Sequence, residues 1–416
     1  MQDKRPYFSV VLPTANRSQY LASAIKSVLQ QSFEDFELIV SDNSSTDGTA
    51  DLVGSFSDSR IRYARTSRRL PMHESWEFAF AQSAGEHVTF LGDDDAYSAI
   101  YLESMARVIG ENNPEMASCR LADYRYEAGE LGALHWPENS LSFQPFTNQL
   151  SRYDTASAVE SLYGQLGLCD HPSSPAVPPP LLINTVYKRS VLTKCHERLG
   201  WLWDTLSGDY YLAAVTLGLT DTYFYLDSPL AFHGISPGST TSSISNALDG
   251  VDLKKRQPEL AHFREVPVEL YVPYNFSADA LLLAKCDLRP ELDSIDLDLT
   301  GYFKNIYIQL CDLEVLGADV TRLEAALHSA IDEQPAAVRD KVRSFLHAPT
   351  MRTKRSMRLR LSRSKKVYSL FRKVLNRKES ISTFFSGAQN GFTDIAQCAA
   401  LVDEGFLREY KSGERK

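Results

Sequence analysis

The first hundred residues alternate short apolar runs with segments of helical periodicity, and this alternation constrains the fold more than any other feature. The run YFSVVLP ends at Pro13, and apolar side chains then recur at helical spacing up to Gln31. The runs FELIVSD, RIRYA and HVTFLG are further predicted strands, separated by segments that we expect to be helices. Strands that alternate with helices predict an α/β domain with a mostly parallel central sheet flanked by helices.

Three polar stretches follow the ends of these predicted strands: PTANR, which ends at Arg17, DNSSTDGT, which begins at Asp42, and GDDD at 92–95. Ligands of parallel sheets bind beyond the carboxyl ends of the strands, so we expect the three stretches to converge on one crevice. For Asp42 the alternative is a helix-capping loop. A calcium loop that starts at Asp42 is excluded, because Asp47 stands where that loop needs glycine and Val53 where it needs glutamate.

The acidic triplet Asp93, Asp94 and Asp95 has two interpretations. Adjacent carboxylates repel one another unless water or a cation screens them, so the triplet is either a solvated turn or a cation site. Its position after a predicted strand, beside two other polar loops, favours oxygen ligands for Mg²⁺ or Mn²⁺ that hold a diphosphate.

The composition is that of a globular protein, since 416 residues with 43% hydrophobic content suffice for one large domain and an appendage. The six cysteines lack the two-residue spacing of a zinc knuckle or a redox motif, which favours a reducing compartment. The amino terminus has no signal-peptide pattern, and no apolar run approaches the ~18 residues that span a bilayer. We therefore expect a cytoplasmic protein, or one peripheral on the inner face of the membrane.

The net charge of -9 is unevenly distributed, because residues 352–378 carry twelve of the 44 basic side chains and no acidic one. Val367, Phe371 and Val374 recur there at helical spacing, which predicts a basic amphipathic helix. Such a helix could lie on an anionic membrane surface, or it could pack its apolar stripe on the acidic main body. Nucleic acid is the least favoured partner, and we expect none.

Two segments in the right order, VVLPTANRSQYLASAIKSVLQQSFEDFELIVSDNSSTDGT and AGEHVTFLGDDDAYS, resemble the nucleotide-sugar-binding half of the family 2 glycosyltransferases, which have the GT-A fold. The resemblance implies a GT-A domain over 1–245, divided into a nucleotide-sugar-binding half over 1–125 and an acceptor half over 126–245. A mainly helical region over 246–416 would follow it. The implied activity is an inverting transfer from a nucleoside-diphosphate sugar that depends on Mn²⁺ or Mg²⁺.

Carried over to this sequence, the resemblance implies that Pro13 and Thr14 line the nucleotide pocket, that Asp42 hydrogen-bonds the base and that Asp93 holds the ribose. A carboxylate accepts a hydrogen bond from the imide N–H of uracil or thymine, and also from guanine. UDP-sugars are therefore the favoured donors, followed by dTDP-sugars.

The resemblance assigns the metal to Asp94. Gly92 stands where many members of the family have the first Asp of their Asp-x-Asp motif, so Asp95 is a further candidate ligand. Which of the three carboxylates touches the metal stays open at this stage. Arg17, at the end of the first polar stretch, is a further candidate side chain of the donor site.

Transfer of a sugar also needs a base that takes the proton of the attacking acceptor hydroxyl. The resemblance places a carboxylate with this role at the start of a helix, ~100 residues after the acidic motif, and the stretch SGDYYLA brings Asp209 to that place. A plain helix N-cap is the alternative for Asp209. Asp204 is the second candidate for the base.

Two further stretches contain candidate contacts. HPSSPAVPPPLLINTVYKRSVL predicts a loop that leads into a strand, and the resemblance puts it on the acceptor side, with His171 and Asn184 as candidates. LAFHGISPGSTTSS resembles the segment that places a basic residue near the diphosphate, and alignment on its PG puts Ser236 at that position. For His233 we expect a neutral, hydrogen-bonded imidazole, and a metal role is the less favoured interpretation.

After about residue 250, four segments with helical periodicity predict a helical appendage that could bind the acceptor, form a homo-oligomer or place the enzyme at a membrane. The resemblance implies a glycan or lipid-linked acceptor, and bacterial surface polysaccharide synthesis as the process. A sugar-1-phosphate nucleotidylyltransferase is disfavoured, because LPTANRSQY has no glycine for a triphosphate loop. A glycan-binding or scaffold protein on a decayed transferase fold is the other alternative. Decay would have removed acidic residues, but Asp42, Asp94 and Asp209 are present.

Overall fold

The structure is a computed structural model that describes residues 5–131, 134–136, 138–169, 177–236, 262–315, 318–349, 383–387 and 391–412. The predicted basic helix at 352–378 and the candidate acceptor contact His171 lie outside these ranges.

Within the described ranges, one sheet contains eleven strands and a second sheet contains two. The strands are β1 (Phe8–Thr14), β2 (Phe36–Asp42), β3 (Ile61–Arg65), β4 (His87–Phe90), β5 (Ala96–Tyr97), β6 (Met116–Arg125), β7 (Gly129–Leu131), β8 (Leu134–Trp136), β9 (Ser140–Phe143), β10 (Leu150–Asp154), β11 (Thr185–Lys188), β12 (Thr222–Ile235) and β13 (Thr383–Ser386). Strands β7 and β8 form the separate antiparallel pair.

The helices flank the sheet. They are α1 (Ser18–Leu29), α2 (Thr49–Gly54), α3 (Met72–Ala81), α4 (Tyr101–Asn112), α5 (Thr155–Gln165), α6 (Arg189–Leu199), α7 (Gly208–Gly218), α8 (Pro273–Asp287), α9 (Leu299–Val315), α10 (Thr321–Asp332), α11 (Ala336–His347), α12 (Ile395–Leu401) and α13 (Glu404–Ser412). A short 3₁₀ helix spans Leu182–Asn184, so the predicted strand LLINTVYK is extended only over its second half, as β11.

The sheet order β3, β2, β1, β4, β11, β6, β12, β10 puts the four predicted strands side by side at one end. Strands β1, β2, β3 and β4 are parallel, which confirms the α/β prediction. Strand β11 is antiparallel to both β4 and β6, and β12 is parallel to β6. The carboxyl ends of β1, β2 and β4 therefore lie at the same edge of the sheet.

Both faces of the sheet are covered by a hydrophobic core. Side chains alternate between the two faces of a strand, and β1 accordingly sends Val11 into one core and Val10 and Leu12 into the other. All seven residues of β1 are buried, as in a strand covered on both faces. This double coverage explains why the strands of this part read as nearly continuous apolar runs in the sequence.

The four helices predicted after residue 250 are present as α8 to α11. In the described residues they do not form a separate core, because Leu281, Phe303 and Leu327 share one cluster with Val11 and Tyr211. Strand β13 pairs with β9, and α12 and α13 pack on the other face of the sheet. The carboxyl-terminal region is therefore part of the body that carries the sheet.

None of the helices in the described ranges is both long enough and apolar enough to cross a lipid bilayer.

Candidate functional site

The predicted convergence of the polar loops is confirmed at the carboxyl end of the sheet. Asn16, after β1, has a left-handed φ of 57°, which asparagine tolerates better than most residues. Its Oδ1 accepts a hydrogen bond from the Thr46 N–H at 2.7 Å, and its own N–H donates to Ser45 Oγ at 2.9 Å. The loop after β4 meets the loop after β1 at Asp93, which contacts both Thr14 and Arg17.

The carboxylate of Asp93 is held from two sides. Thr14, the last residue of β1, donates its hydroxyl to Asp93 Oδ2 at 2.8 Å. Arg17 places its Nε 2.8 Å from Asp93 Oδ1. Asp93 is buried, so these contacts orient its carboxylate within the wall of the crevice.

The neighbouring carboxylate, Asp94, shares the same guanidinium. Arg17 Nη2 lies 2.5 Å from Asp94 Oδ2, and the Ser236 hydroxyl donates to that oxygen at 2.6 Å. The Tyr126 hydroxyl donates to the backbone carbonyl of Asp94 at 2.9 Å. Ser236, which the sequence placed near the diphosphate, thus contacts the residue predicted to bind the metal.

The third carboxylate, Asp95, is directed at the backbone. Its Oδ2 accepts from the Gly92 N–H at 3.1 Å, and its Oδ1 accepts from the Gly234 N–H at 2.8 Å. A Cβ at Gly234 would overlap the carbonyl oxygen of Asp94. The absence of a side chain at position 234 therefore allows β12 to approach the acidic loop.

The acidic loop places three carboxylates close together, and the guanidinium of Arg17 contacts two of them. Burial raises the pKa of Asp93 and of Asp95, and the nearby Asp94 adds to both rises, although Arg17 opposes the rise at Asp93. Burial lowers the pKa of Arg17, but Asp93 and Asp94 outweigh that effect and raise it, so the guanidinium stays charged. A further cation at this loop would relieve the remaining repulsion.

A divalent cation fits this loop if phosphates and water supply the part of its coordination that the protein does not. Within the described ranges, no three His, Cys, Asp or Glu side chains form a complete metal cage. A complete cage is not required, because Mg²⁺ in nucleotide sites is usually held by one or two carboxylates together with phosphates and water. Asp95 has both oxygens bound to backbone N–H groups, so Asp94 is the better candidate ligand.

His233 lies in the same region but is not the neutral group that the sequence predicted. Its Nδ1 is 3.5 Å from Asp123 Oδ1. Burial lowers the pKa of His233, but the hydrogen bond to Asp123 and the charges of Asp95 and Asp94 outweigh that effect and raise it to about 9. At neutral pH the imidazole is therefore a cation, which is suited to a place beside a diphosphate.

A cavity of about 290 Å³ brings the acidic loop together with the predicted base. Asp94, Asp95, His233 and Asp209 all line it. Asp209 is the second residue of α7, where Ser207 holds the N-cap position, so the capping interpretation does not describe it. Burial raises the pKa of Asp209.

Two tryptophans form an aromatic part of the wall of this cavity. Trp76 and Trp203 have ring centroids 5.7 Å apart, and both line the space. Trp203 lies in the sequence six residues before Asp209, in the stretch WLWDTLSGD, and it also packs edge-on against Phe90 at 5.0 Å. Aromatic faces of this kind are common supports for apolar ring surfaces of ligands.

Asp42, predicted to bind the nucleotide base, ends β2 at the same edge of the sheet but is fully buried. Its Oδ1 accepts from the Ser45 N–H at 2.7 Å, and its Oδ2 accepts from the Tyr63 hydroxyl at 2.6 Å and from Arg65 at 3.1 Å. A base could reach this carboxylate only after Tyr63 or Arg65 moves aside. Pro13 is buried in β1 beneath the same loops.

Two of the predicted acceptor-side residues are not brought to this cavity. Asn184 is buried and donates its amide to the Cys119 carbonyl at 2.6 Å, so it is a structural side chain of the 3₁₀ helix. Asp204 pairs with Arg264 at 2.6 Å and lines a neighbouring cavity. Asp209 is therefore the better placed of the two candidate bases.

Sequence reasoning missed Asp123, Tyr126 and Trp203. Asp123 and Tyr126 are brought to the site by the pairing of β6 with β12, which joins residues more than a hundred positions apart. No local pattern marks them. Trp203 had a local signal, since it stands beside Asp204 and near Asp209, but a tryptophan before a helix is more often an ordinary core residue.

Part of the chain is similar to known glycosyltransferases. Residues 9–162 match the model of Glycosyl transferase family 2. Over 93 residues the chain is 41% identical to GalNAc(5)-diNAcBac-PP-undecaprenol beta-1,3-glucosyltransferase of Campylobacter jejuni, and this stretch covers 22% of the chain and 30% of that protein.

A second relative is UDP-Glc:alpha-D-GlcNAc-diphosphoundecaprenol beta-1,3-glucosyltransferase WfgD of Escherichia coli, 31% identical over 105 residues, which are 25% of this chain and 42% of that protein. The chain thus spans less than half the length of these curated relatives. Among solved structures it is similar to S. aureus TarS 1-349 in complex with UDP-GlcNAc, with a TM-score of 0.47 and 15% identity over 88% of this chain and 92% of that one.

Proposed function

Residues 9–162 belong to glycosyl transferase family 2, and from this premise we propose that the protein is a metal-dependent, inverting glycosyltransferase. It would move a sugar from a nucleoside diphosphate, with UDP-sugars favoured over dTDP-sugars, to a hydroxyl of a glycan or lipid-linked acceptor. The observation that supports this most is the single cavity lined by Asp94, Asp95 and Asp209. The names of the two relatives, a UDP-glucose donor and undecaprenol-linked acceptors, support the donor and acceptor classes.

In the proposed reaction, Asp209 accepts the proton of the acceptor hydroxyl as that oxygen bonds to the anomeric carbon. The bond between this carbon and the diphosphate oxygen breaks on the opposite side, so the configuration inverts. Asp94 is the candidate to hold Mn²⁺ or Mg²⁺, which when bound stabilises the charge that develops on the diphosphate. Arg17 and the His233 cation lie beside the same loop and add positive charge there.

A thermal-shift titration tests the donor site. UDP, dTDP, GDP and CMP are each added with Mn²⁺, with Mg²⁺ and with EDTA. A nucleotide at a hundred times its dissociation constant stabilises the native state by about 2.7 kcal/mol, which raises the unfolding temperature by a few degrees. We expect one nucleoside diphosphate to raise it only when metal is present.

The variant Asp94→Asn should lose this shift, whereas Asp221→Asn, at an exposed position away from the cavity, should keep it. Release of UDP from UDP-sugars then tests the chemistry. A folded protein that shows no shift with any nucleotide, or a shift that persists in EDTA and in Asp94→Asn, would contradict the proposal.

A further inference from the structure

A second cavity of about 280 Å³ adjoins the first. His73, Thr205 and Leu206 line both of them, so the two spaces meet at these side chains. Each volume lies near the lower end of the range of roughly 300–1,000 Å³ that small-molecule sites occupy. That size suits one sugar ring in each cavity.

The second cavity lies on the acceptor side of the site. Asp94 and Asp95, at the proposed diphosphate end, line only the first cavity. The shared residues Thr205 and Leu206 belong to the loop that leads into Asp209, the proposed base. A molecule whose hydroxyl reaches Asp209 can therefore extend past this loop into the second cavity.

The charges in the second cavity are compensated. Asp204 Oδ2 lies 2.6 Å from Arg264 Nη1. Asp279 is buried, and its Oδ1 accepts the backbone N–H groups of Arg264 at 3.0 Å and Glu265 at 2.8 Å. Because each charge already has a partner, the cavity is poorly suited to a phosphate group. Its carboxylates, guanidinium and His262 remain able to bind hydroxyl groups of a neutral ring.

Buried polar atoms at the junction lack hydrogen-bond partners. Among the residues that the structure describes, none pairs with Thr205 Oγ1, Trp203 Nε1 or His73 Nδ1. Thr205 is 6% exposed and Trp203 only 2%. Leaving a buried donor or acceptor without a hydrogen bond destabilises a folded protein, so such groups call for an explanation. A ligand with several hydroxyl groups at this junction would supply the missing partners.

We propose that the second cavity is a subsite for a second sugar residue of the acceptor, so that the acceptor is at least a disaccharide. This inference rests on the proposed function. His262, Arg264 and Asp279 come from the carboxyl-terminal region, outside residues 9–162 that match the family. The subsite would therefore give this chain an acceptor preference that the shared domain does not determine.

The test compares glycosides of GlcNAc and GalNAc with disaccharides that carry one further sugar on the same glycoside. The rate of nucleotide release is measured with each acceptor and with water alone. We expect the disaccharides to have a KM at least tenfold lower than the monosaccharides. That advantage should disappear in Arg264→Gln and in His262→Gln, while the release of nucleotide in water stays unchanged.

Matched controls are Arg343→Gln, which breaks an exposed Arg–Asp pair with Asp332, and His328→Gln on the surface of α10; both should keep the disaccharide preference. Equal KM values for the two acceptor classes, or a preference that survives in both subsite variants, would overturn the subsite. Failure of nucleotide binding and of hydrolysis in water would instead overturn the proposed function.

Discussion

At the scale of the single residue, the proposed role of Asp209 as the base predicts how one substitution changes the transfer. The variant Asp209→Asn should lower the rate of transfer by about 10²–10⁴-fold, because a general base contributes that much. Binding of the nucleotide should be nearly unchanged, since the proposed metal ligand is Asp94 and not Asp209. Nucleotide release and thermal shift, measured on the same preparation, separate the two effects.

The dependence of this reaction on pH follows from the same residue. The base must be ionised, and burial raises the pKa of Asp209 above that of an exposed carboxyl group. The rate should therefore fall as the pH decreases through this raised pKa, which lies above the ~3.9 of a free aspartate. A rate that stays constant down to pH 4 in the wild type would contradict Asp209 as the base.

Arg17 is the residue on which the stability of the acidic loop depends. Its side chain is 19% exposed and contacts Asp93 and Asp94, so Arg17→Gln leaves both without a shared cation. Removal of one partner from a buried ion pair costs about 3 kcal/mol, whereas Arg343→Gln in an exposed pair should cost less than about 1 kcal/mol.

Urea unfolding at pH 8 measures these losses of free energy. Mn²⁺ should restore more stability in Arg17→Gln than in the wild type, because the metal then meets carboxylates without a competing guanidinium. No difference between the two proteins in their response to Mn²⁺ would argue against a metal at Asp94.

At the scale of the element, the approach of β12 to the acidic loop depends on Gly234. The variant Gly234→Ala places a methyl group against the Asp94 carbonyl, so β12 or the loop must shift. We expect at least a tenfold loss of nucleotide affinity. Gly110→Ala is the control, since its Cβ meets no atom within 4 Å in the last turn of α4 and should stabilise the helix by at most ~0.5–1 kcal/mol. Titration calorimetry measures the nucleotide affinity of both variants, and urea unfolding measures the stability of Gly110→Ala.

The sequence predicted the elements that follow one another, but not those that pair over long distances. β1 to β4 and the loops at their ends were predictable from apolar periodicity and from Pro13, Asp42 and the acidic triplet, because these signals are local. The contacts of β12 with β6 and with Asp95 were not, because pairing across more than a hundred residues leaves no local pattern. The charge of His233 was missed for the same reason.

At the scale of the whole molecule, the carboxyl-terminal helices should unfold together with the sheet. Phe392 is 3% exposed and lies in the same hydrophobic core as Val10 of β1, with its ring centroid 6.3 Å from that of Tyr124 in β6. Phe392→Ala should cost about 3–5 kcal/mol in a single transition. Leu401→Ala, at a position 44% exposed, should change stability by no more than ~0.5 kcal/mol. Two separate transitions in urea would show instead that the region after residue 245 is an independent unit.

The pairing of β13 with β9 also bears on how the protein is made. A ribosome adds about 5–20 residues per second, so tens of seconds separate the synthesis of β9 from that of β13. During that interval β9 has a free edge, and Phe143 lacks the cover that Phe406 later provides. The nascent chain thus presents an open strand and an apolar surface. Chaperone binding during translation, and loss of solubility when synthesis stops early, are the consequences to expect of a fold whose sheet is completed by its last strand.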